Sequence, residues 1–428
     1  MTTPALNQLS ASQAAALLAR REITAEAMVR ACLARIDLRE GEIHAFAHLD
    51  ADGAIAQARA LDAGPVRGLL HGLPLGVKDL MDSADMPTTY GSAIFAGYRP
   101  AFDAAATALC KEAGAVVMGK TVSTEFAYFQ PGPTRNPHNT AHTPGGSSSG
   151  SAASVADQML PLALGTQTAG SIIRPASYCG VVGYKPSLGR VPGAGVKSLS
   201  PTMDVIGGFG RSVADVGLLG AVLTSDERLA HLSDTKAPRV GWFKSPIWPE
   251  ADADTQAMWQ NAQRTLSTHA ASSDDVVEPQ DFGDLIPLQK SVMAFEMARA
   301  LSHERAHFAP RMSERLNALM AEGMAIHGDT HAAGLLQTLA WRARMDGLFD
   351  RYDVLITPSA TGEAPAGLGA TGDPMFCRSW SLLGLPCVHL PIAQSGHGLP
   401  IGLQLVGRHG QDHQLLSVAQ WVHERLTR

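Results

Sequence analysis

Hydrophobic and polar positions change rhythm along this chain. Up to about residue 62 the apolar residues recur at helical spacing. Met28, Cys32, Leu33 and Ile36 follow that period, and Thr24 stands where an N-cap is expected. "HLDADGAIAQARALDAG" continues it, so residues 1–62 are predicted to form a helical layer packed on the core. From residue 68 short apolar runs alternate with Gly/Pro turns: "GLPLGVKDL", "GAVVMGK", "LPLALGT", "CGVVGYKP". Such runs, with helical stretches between some of them, predict an α/β domain with a mixed sheet over residues 63–428. The polar segment 224–238 reads as a surface connection, "PRVGWF", "YDVLITPS" and "PCVHLPI" as strands, and 290–350 as mainly helical. In "HQLLSVAQWVHERL", Leu415, Val418, Val422 and Leu426 share one helical face suited to docking on the core. Gly-rich 361–374 is the expected mobile loop, at the mouth of a site.

Composition narrows the function classes. The chain has 428 residues, of which 45% are hydrophobic, enough for a large core. A net charge of −6 leaves no basic excess to neutralise phosphates, which argues against a nucleic-acid partner. There is no dense Lys/Arg block for an anionic membrane surface and no apolar run of the roughly 18–20 residues that span a bilayer. The N-terminus lacks the basic start and apolar core of a signal peptide. The five cysteines (Cys32, Cys110, Cys179, Cys377, Cys387) are scattered and never spaced Cys-x-x-Cys, so neither a disulfide framework nor a zinc knuckle is expected. The expectation is a soluble cytoplasmic protein.

Three motifs match by their letters. Gly114–Thr121 spells a P-loop, but Ala115, Val116, Val117 and Met118 between its glycines read as a buried strand. His303-Glu304-Arg305-Ala306-His307 spells H-E-x-x-H, which on a helix would be a zinc peptidase site, with His327 or Glu322 as third ligand; the alternative is an exposed charged face. Gly146–Gly150 spells G-x-S-x-G, but "NTAHTP" before it is a polar loop, not the strand that a nucleophile elbow at Ser148 needs.

Three other features cohere. In "GLPLGVKDLMD" an apolar strand ends on Lys78, and burying an ammonium costs several kcal/mol unless it is paired or neutral. Asp79 is its nearest candidate partner. In "TPGGSSSG", Thr143–Gly150 has the composition of a tether, yet its glycines could hold Ser147, Ser148 or Ser149 tightly against a site. In "LGTQTAGSIIRPASYCG" small residues could aim successive backbone N–H groups at one oxyanion. Serine needs a base to act as nucleophile, and a lysine held neutral can serve. Its pKa of about 10.4 must then fall by roughly 3 units, at about 1.4 kcal/mol each.

With "GKTVSTEFA", "NPHNTAHTPGGSSSGSAASVA", "LALGTQTAGSIIRPASYCGVVGYKPSLGRVP" and "SPTMDVIGGFGRSVADVGLL", the chain resembles the amidase signature family of Ser-Ser-Lys amide hydrolases, from about Leu73 to Asp215 and again in "GLPIGLQLVGR". The resemblance implies an α/β fold with a large mixed twisted sheet covered by helices on both faces, in a single catalytic domain whose variable part, 224–380, shapes the substrate pocket. It implies Ser171 as the acyl-forming nucleophile, Ser147 as a bridging serine after a cis peptide bond, and Lys78 as the base. It implies the N–H groups of Thr168, Ala169, Gly170 and Ser171 as the oxyanion hole, with Ser148 and Thr166 as supporting hydrogen bonders. The chain departs from the commoner pattern in carrying Gln167 where many members have Asp, Ser149 where many have Gly, and its arginine, Arg174, three residues after the nucleophile instead of two. Those details resemble the malonamidase branch. They imply a small, carboxylate-bearing, malonamate-like amide with Arg174 and Gln167 as substrate-binding residues, Arg174 gripping the carboxylate or else pairing with a protein acid such as Asp204. The resemblance implies no metal, no cofactor and a homodimer. The alternatives are the catalytic component of a tRNA-dependent amidotransferase, which needs partner subunits, and the zinc peptidase on His303, Glu304 and His307.

Overall fold

The computed structural model describes residues 5–232 and 235–427. The N-terminal residues 1–4 and residues 233–234 of the predicted surface connection lie outside the described residues. Eleven strands among them form one mixed sheet: β1 (Phe46–Leu49), β2 (Pro74–Lys78), β3 (Val116–Thr121), β4 (Leu162–Gln167), β5 (Val182–Lys185), β6 (Val205–Gly210), β7 (Arg239–Trp242), β8 (Ser272–Asp275), β9 (Val354–Pro358), β10 (Cys387–Gln394) and β11 (Pro400–Val406). Their order is β1-β3-β2-β4-β6-β5-β10-β11-β9-β7-β8. β2 runs parallel to both β3 and β4, and β7 to both β8 and β9; the other pairings are antiparallel.

Alternation along β9 shows how the sheet is covered on both faces. Val354 and Ile356 pack with Leu415, Val418 and Val422 of the helix Asp412–Leu426, whereas Leu355 packs with Val292 and Met297 of the helix Leu285–Ala300. β2, β3 and β4 are buried at every position, as their near-continuous apolar runs require of parallel strands covered on both sides. The P-loop letters therefore sit in β3. Thr24 caps the helix Ala25–Ile43 as expected, accepting from Ala27 N at 3.1 Å.

The sequence pattern missed two edge strands. β1 interrupts the predicted helical stretch and pairs antiparallel with β3; four residues are too few to display a period of two. β8, "SSDD", is polar and half exposed at the other edge, where charge protects a strand from further pairing. The loop 361–374 does reach the site, and hydrogen bonds tie it there. Thr143 N donates to Pro365 O at 3.1 Å, and Gly367 N to Ala141 O at 2.8 Å.

Candidate active site

The site forms at the C-terminal ends of parallel strands, where open α/β sheets hold their ligands. Leu75 of β2 lies opposite Leu162 of β4, and Gly76 opposite Ala163. Carried forward, that register brings Lys78 beside the end of β4. Lys78 Nζ is fully buried and donates to Ser147 Oγ and to Thr166 Oγ1, both at 2.7 Å. No carboxylate pairs with it among the described residues. Asp79 turns instead to Lys120, at 3.7 Å, and accepts from Thr89 N at 3.0 Å. Burial holds the Lys78 pKa well below its ordinary value; the charge of Arg174 pushes the same way, against the pull of Asp204. Lys120 is also buried, and desolvation lowers its pKa to about 8 despite Asp79 and Asp82.

The Gly/Ser segment is interior structure, not a tether. Residues 143–150 are buried throughout, and the Gly146–Ser147 peptide bond is cis. Gly145 has φ +80°, and a Cβ there would come within 2.9 Å of Pro175 Cα, so only glycine fits. Ser148 Oγ lies 3.3 Å from both the backbone O and the backbone N of Thr166, which stitches this segment to β4 and occupies the serine of the G-x-S-x-G letters. Ser149 opens the helix Ser149–Ala156, and its Oγ donates to Gly145 O at 2.8 Å.

Residues 168–171 leave β4 in a tight loop. Their four backbone N–H groups have no acceptor among the described residues. The loop's shape comes from side chains around it. Thr168 Oγ1 donates to Asp204 at 2.5 Å, and Ser381 Oγ to Ala169 O at 2.6 Å. Gln167 was expected to touch substrate; instead it is fully buried and closes the loop. Its Oε1 accepts from Ile172 N at 2.9 Å and Ile173 N at 3.0 Å, and its Nε2 donates to Ser381 Oγ at 3.0 Å. A carboxylate at that position could accept from both N–H groups but not donate to Ser381, which explains how Gln suits this chain. Ser171 borders a cleft shared with Phe129, Arg174 and Pro374, with a volume of about 10 Å³, room for about one water. No hydrogen bond joins Ser171 to Ser147 among the described residues.

Arg174 does not pair with Asp204. It is buried in the helix Ile173–Cys179 and donates to Gly372 O at 2.7 Å, Gly146 O at 2.5 Å and Thr371 Oγ1 at 3.2 Å. Its Nε has no partner among the described residues, and its guanidinium carbon lies 5.5 Å from the Phe129 ring centroid. Burial without a counter-ion lowers its pKa to about 10. Behind it Arg378 donates to Gln289 Oε1 at 2.7 Å, and Gln289 Nε2 reaches Thr168 O at 3.5 Å. Ser381, Gln289 and Arg378 carried no motif, and only their place in the fold reveals them.

The zinc alternative fails on geometry. His303 and His307 share a face of the helix Ser302–Phe308, with ring centroids 4.8 Å apart. Glu304, the base such a site needs, is buried in an ion pair with Lys197 at 2.5 Å. Among the described residues no group of three or more His, Cys, Asp or Glu side chains gathers to hold a metal.

Residues 27–416 match the family model described as Amidase. The chain belongs to the amidase family. Membership makes it an amide-hydrolysing enzyme. This amidase is 34% identical to the A component of glutamyl-tRNA(Gln) amidotransferase from Nitratidesulfovibrio vulgaris, over 97% of this chain and 96% of that one. A crystal structure of an amidase superposes with TM-score 0.90 at 30% identity, covering 98% of this chain and 100% of the other. The peptide amidase from Stenotrophomonas maltophilia gives TM-score 0.85 at 25% identity, covering 98% and 97%. Among the described residues no helix of this amidase is long and apolar enough to cross a membrane.

Proposed function

We propose that this amidase hydrolyses a small, carboxylate-bearing, malonamate-like amide through an acyl-enzyme on Ser171, with Ser147 as proton bridge and Lys78 as base. The observation that carries the reading is a buried lysine with no carboxylate partner among the described residues, 2.7 Å from Ser147 Oγ and from Thr166 Oγ1. A neutral amine there donates to Thr166 and turns its lone pair to the Ser147 hydroxyl. Ser147 then takes a proton from Ser171 as Ser171 Oγ attacks the carbonyl carbon. The four N–H groups of Thr168–Ser171, without acceptors among the described residues, support stabilisation of the oxyanion, while Gln167 and Asp204 hold the loop that presents them. The proton returns to the nitrogen, the C–N bond breaks, and water hydrolyses the acyl ester. Arg174 suits a substrate carboxylate because its buried charge has no acid to neutralise it and its Nε is unpaired among the described residues.

Five buried free cysteines are in keeping with a cytoplasmic enzyme, and we infer a cytoplasmic homodimer, as the family resemblance implies. The similarity to an amidotransferase component favours one second reading, a chain that acts with partner subunits. Ammonia release from malonamate, succinamate and neutral amides by the isolated chain tests both. Turnover of malonamate without partners is expected; activity that needs added subunits would favour the second.

A further inference from the structure

A cavity of about 470 Å³ lies against the other side of the loop that carries Thr168. That volume is within the range of small-molecule sites, roughly 300–1,000 Å³. Its walls are apolar: Leu80, Leu188, Val191, Val196, Val205 and Ile206. The charged side chains on its lining are engaged elsewhere. Lys197 pairs with Glu304 at 2.5 Å, and Asp204 accepts from Thr168, Ser198, Leu199 and Ser200. Among the described residues an occupant therefore finds mainly hydrocarbon, a few hydroxyls and no unengaged charge.

Two contacts tie the cavity to the reaction. Thr166, whose hydroxyl meets Lys78 Nζ at 2.7 Å, is on its wall. Thr168 and Leu199 line both the cavity and the cleft that holds Ser171 and Arg174, so the two spaces adjoin. The anionic half of a substrate is drawn to Arg174, which lines the cleft and not the cavity. The leaving nitrogen must face the proton source, Ser147 and Lys78, and Thr166, the hydroxyl that Lys78 meets, is the residue this proton path shares with the cavity wall.

We propose that this cavity receives an apolar substituent on the leaving nitrogen, so that the substrates are N-alkyl or N-aryl amides with the carboxylate on the acyl half. This rests on the reading above of Lys78, Ser147 and Ser171. In the acylation step Ser171 Oγ bonds to the carbonyl carbon and the C–N bond breaks. The Ser171 proton reaches nitrogen by way of Ser147 and Lys78, and a neutral primary amine leaves into the cavity. Water then adds to the acyl carbon, the bond to Ser171 Oγ breaks, and Ser171 regains a proton as the acid departs.

The test compares kcat/KM for malonamic acid with its N-benzyl derivative, and for propionamide with N-benzylpropionamide. The wild-type enzyme is expected to favour the N-benzyl member of each pair at least ten-fold. Val191→Trp or Val196→Trp, both at half-buried positions on the wall, should cut that ratio at least ten-fold, with a thermal melt reporting the fold. No N-benzyl preference in the wild type, or an unchanged ratio in folded variants, overturns the subsite while primary-amide turnover leaves the serine reading standing. Turnover that survives Ser171→Ala would overturn that reading and this one with it.

Discussion

Replacing Arg174 with Met separates its scaffold bonds from the proposed carboxylate grip. The guanidinium holds Gly372 O, Gly146 O and Thr371 Oγ1, and Gly146 O belongs to the peptide that carries Ser147. Each buried acceptor left unpaired costs about 1–3 kcal/mol, so every substrate should lose some kcat. A carboxylated substrate loses more: a charge-assisted hydrogen bond is worth about 1.5–3 kcal/mol, which is roughly ten- to hundred-fold in kcat/KM. The assay is kcat/KM for malonamate and for propionamide in wild type and variant, with urea melts run beside it. The malonamate loss should exceed the propionamide loss by about ten- to hundred-fold. Arg174→Lys, which keeps the charge without the planar fork, should recover part of the difference. Equal losses on both amides would refute the carboxylate grip and leave Arg174 as scaffolding for Gly146 and Thr371.

Four further outcomes are expected. Since burial lowers the Lys78 pKa, wild-type kcat/KM should rise with pH through an ionisation below 10.5, and Lys78→Ala should lose both the rate and that limb; a modest, pH-independent loss would make Lys78 structural. The same shift sets a stability trend: the unfolded chain binds the extra proton between the lowered pKa and 10.5, so the cost of Lys78 is absent above that window and grows as pH falls through it. Pairwise melts of wild type and Lys78→Met at two pH values read it as a shrinking wild-type deficit at the higher pH. Gln167→Ala removes three buried hydrogen bonds and should cost about 2–4 kcal/mol in a urea melt and lower kcat without changing substrate preference, whereas a selective KM effect would put it back in contact with substrate. His303→Ala with His307→Ala should leave amide hydrolysis intact and chelator-insensitive.

Much of the candidate site was legible because it lies in short local motifs. Lys78 at a strand end, Ser147 after two glycines and Ser171 beside Arg174 each stand out from their neighbours. What sequence could not supply was the partnering across distance. Asp79 is adjacent to Lys78, yet it pairs with Lys120 of β3 because β2 and β3 run side by side. Asp204 is bound to Thr168, not to Arg174, and Gln167 turns inward because Ile172 and Ile173 lack other acceptors at the start of their helix. The fold class followed from apolar runs such as β2 to β4. The edges did not, since β1 is too short and β8 too polar to show a pattern. The Gly/Ser segment reversed its first impression most fully: a composition typical of linkers is buried at every residue from 143 to 150.

The central claim is an acyl-enzyme on Ser171. A slowly hydrolysed activated ester of a small dicarboxylic acid, quenched in acid during turnover and digested, gives a direct reading by peptide mass spectrometry. The account predicts one added acyl group on the peptide containing Ser171, absent in Ser171→Ala and formed much more slowly in Lys78→Ala. An acyl group on Ser147 or Ser148 instead, or sustained turnover with Ser171 never modified, would contradict it.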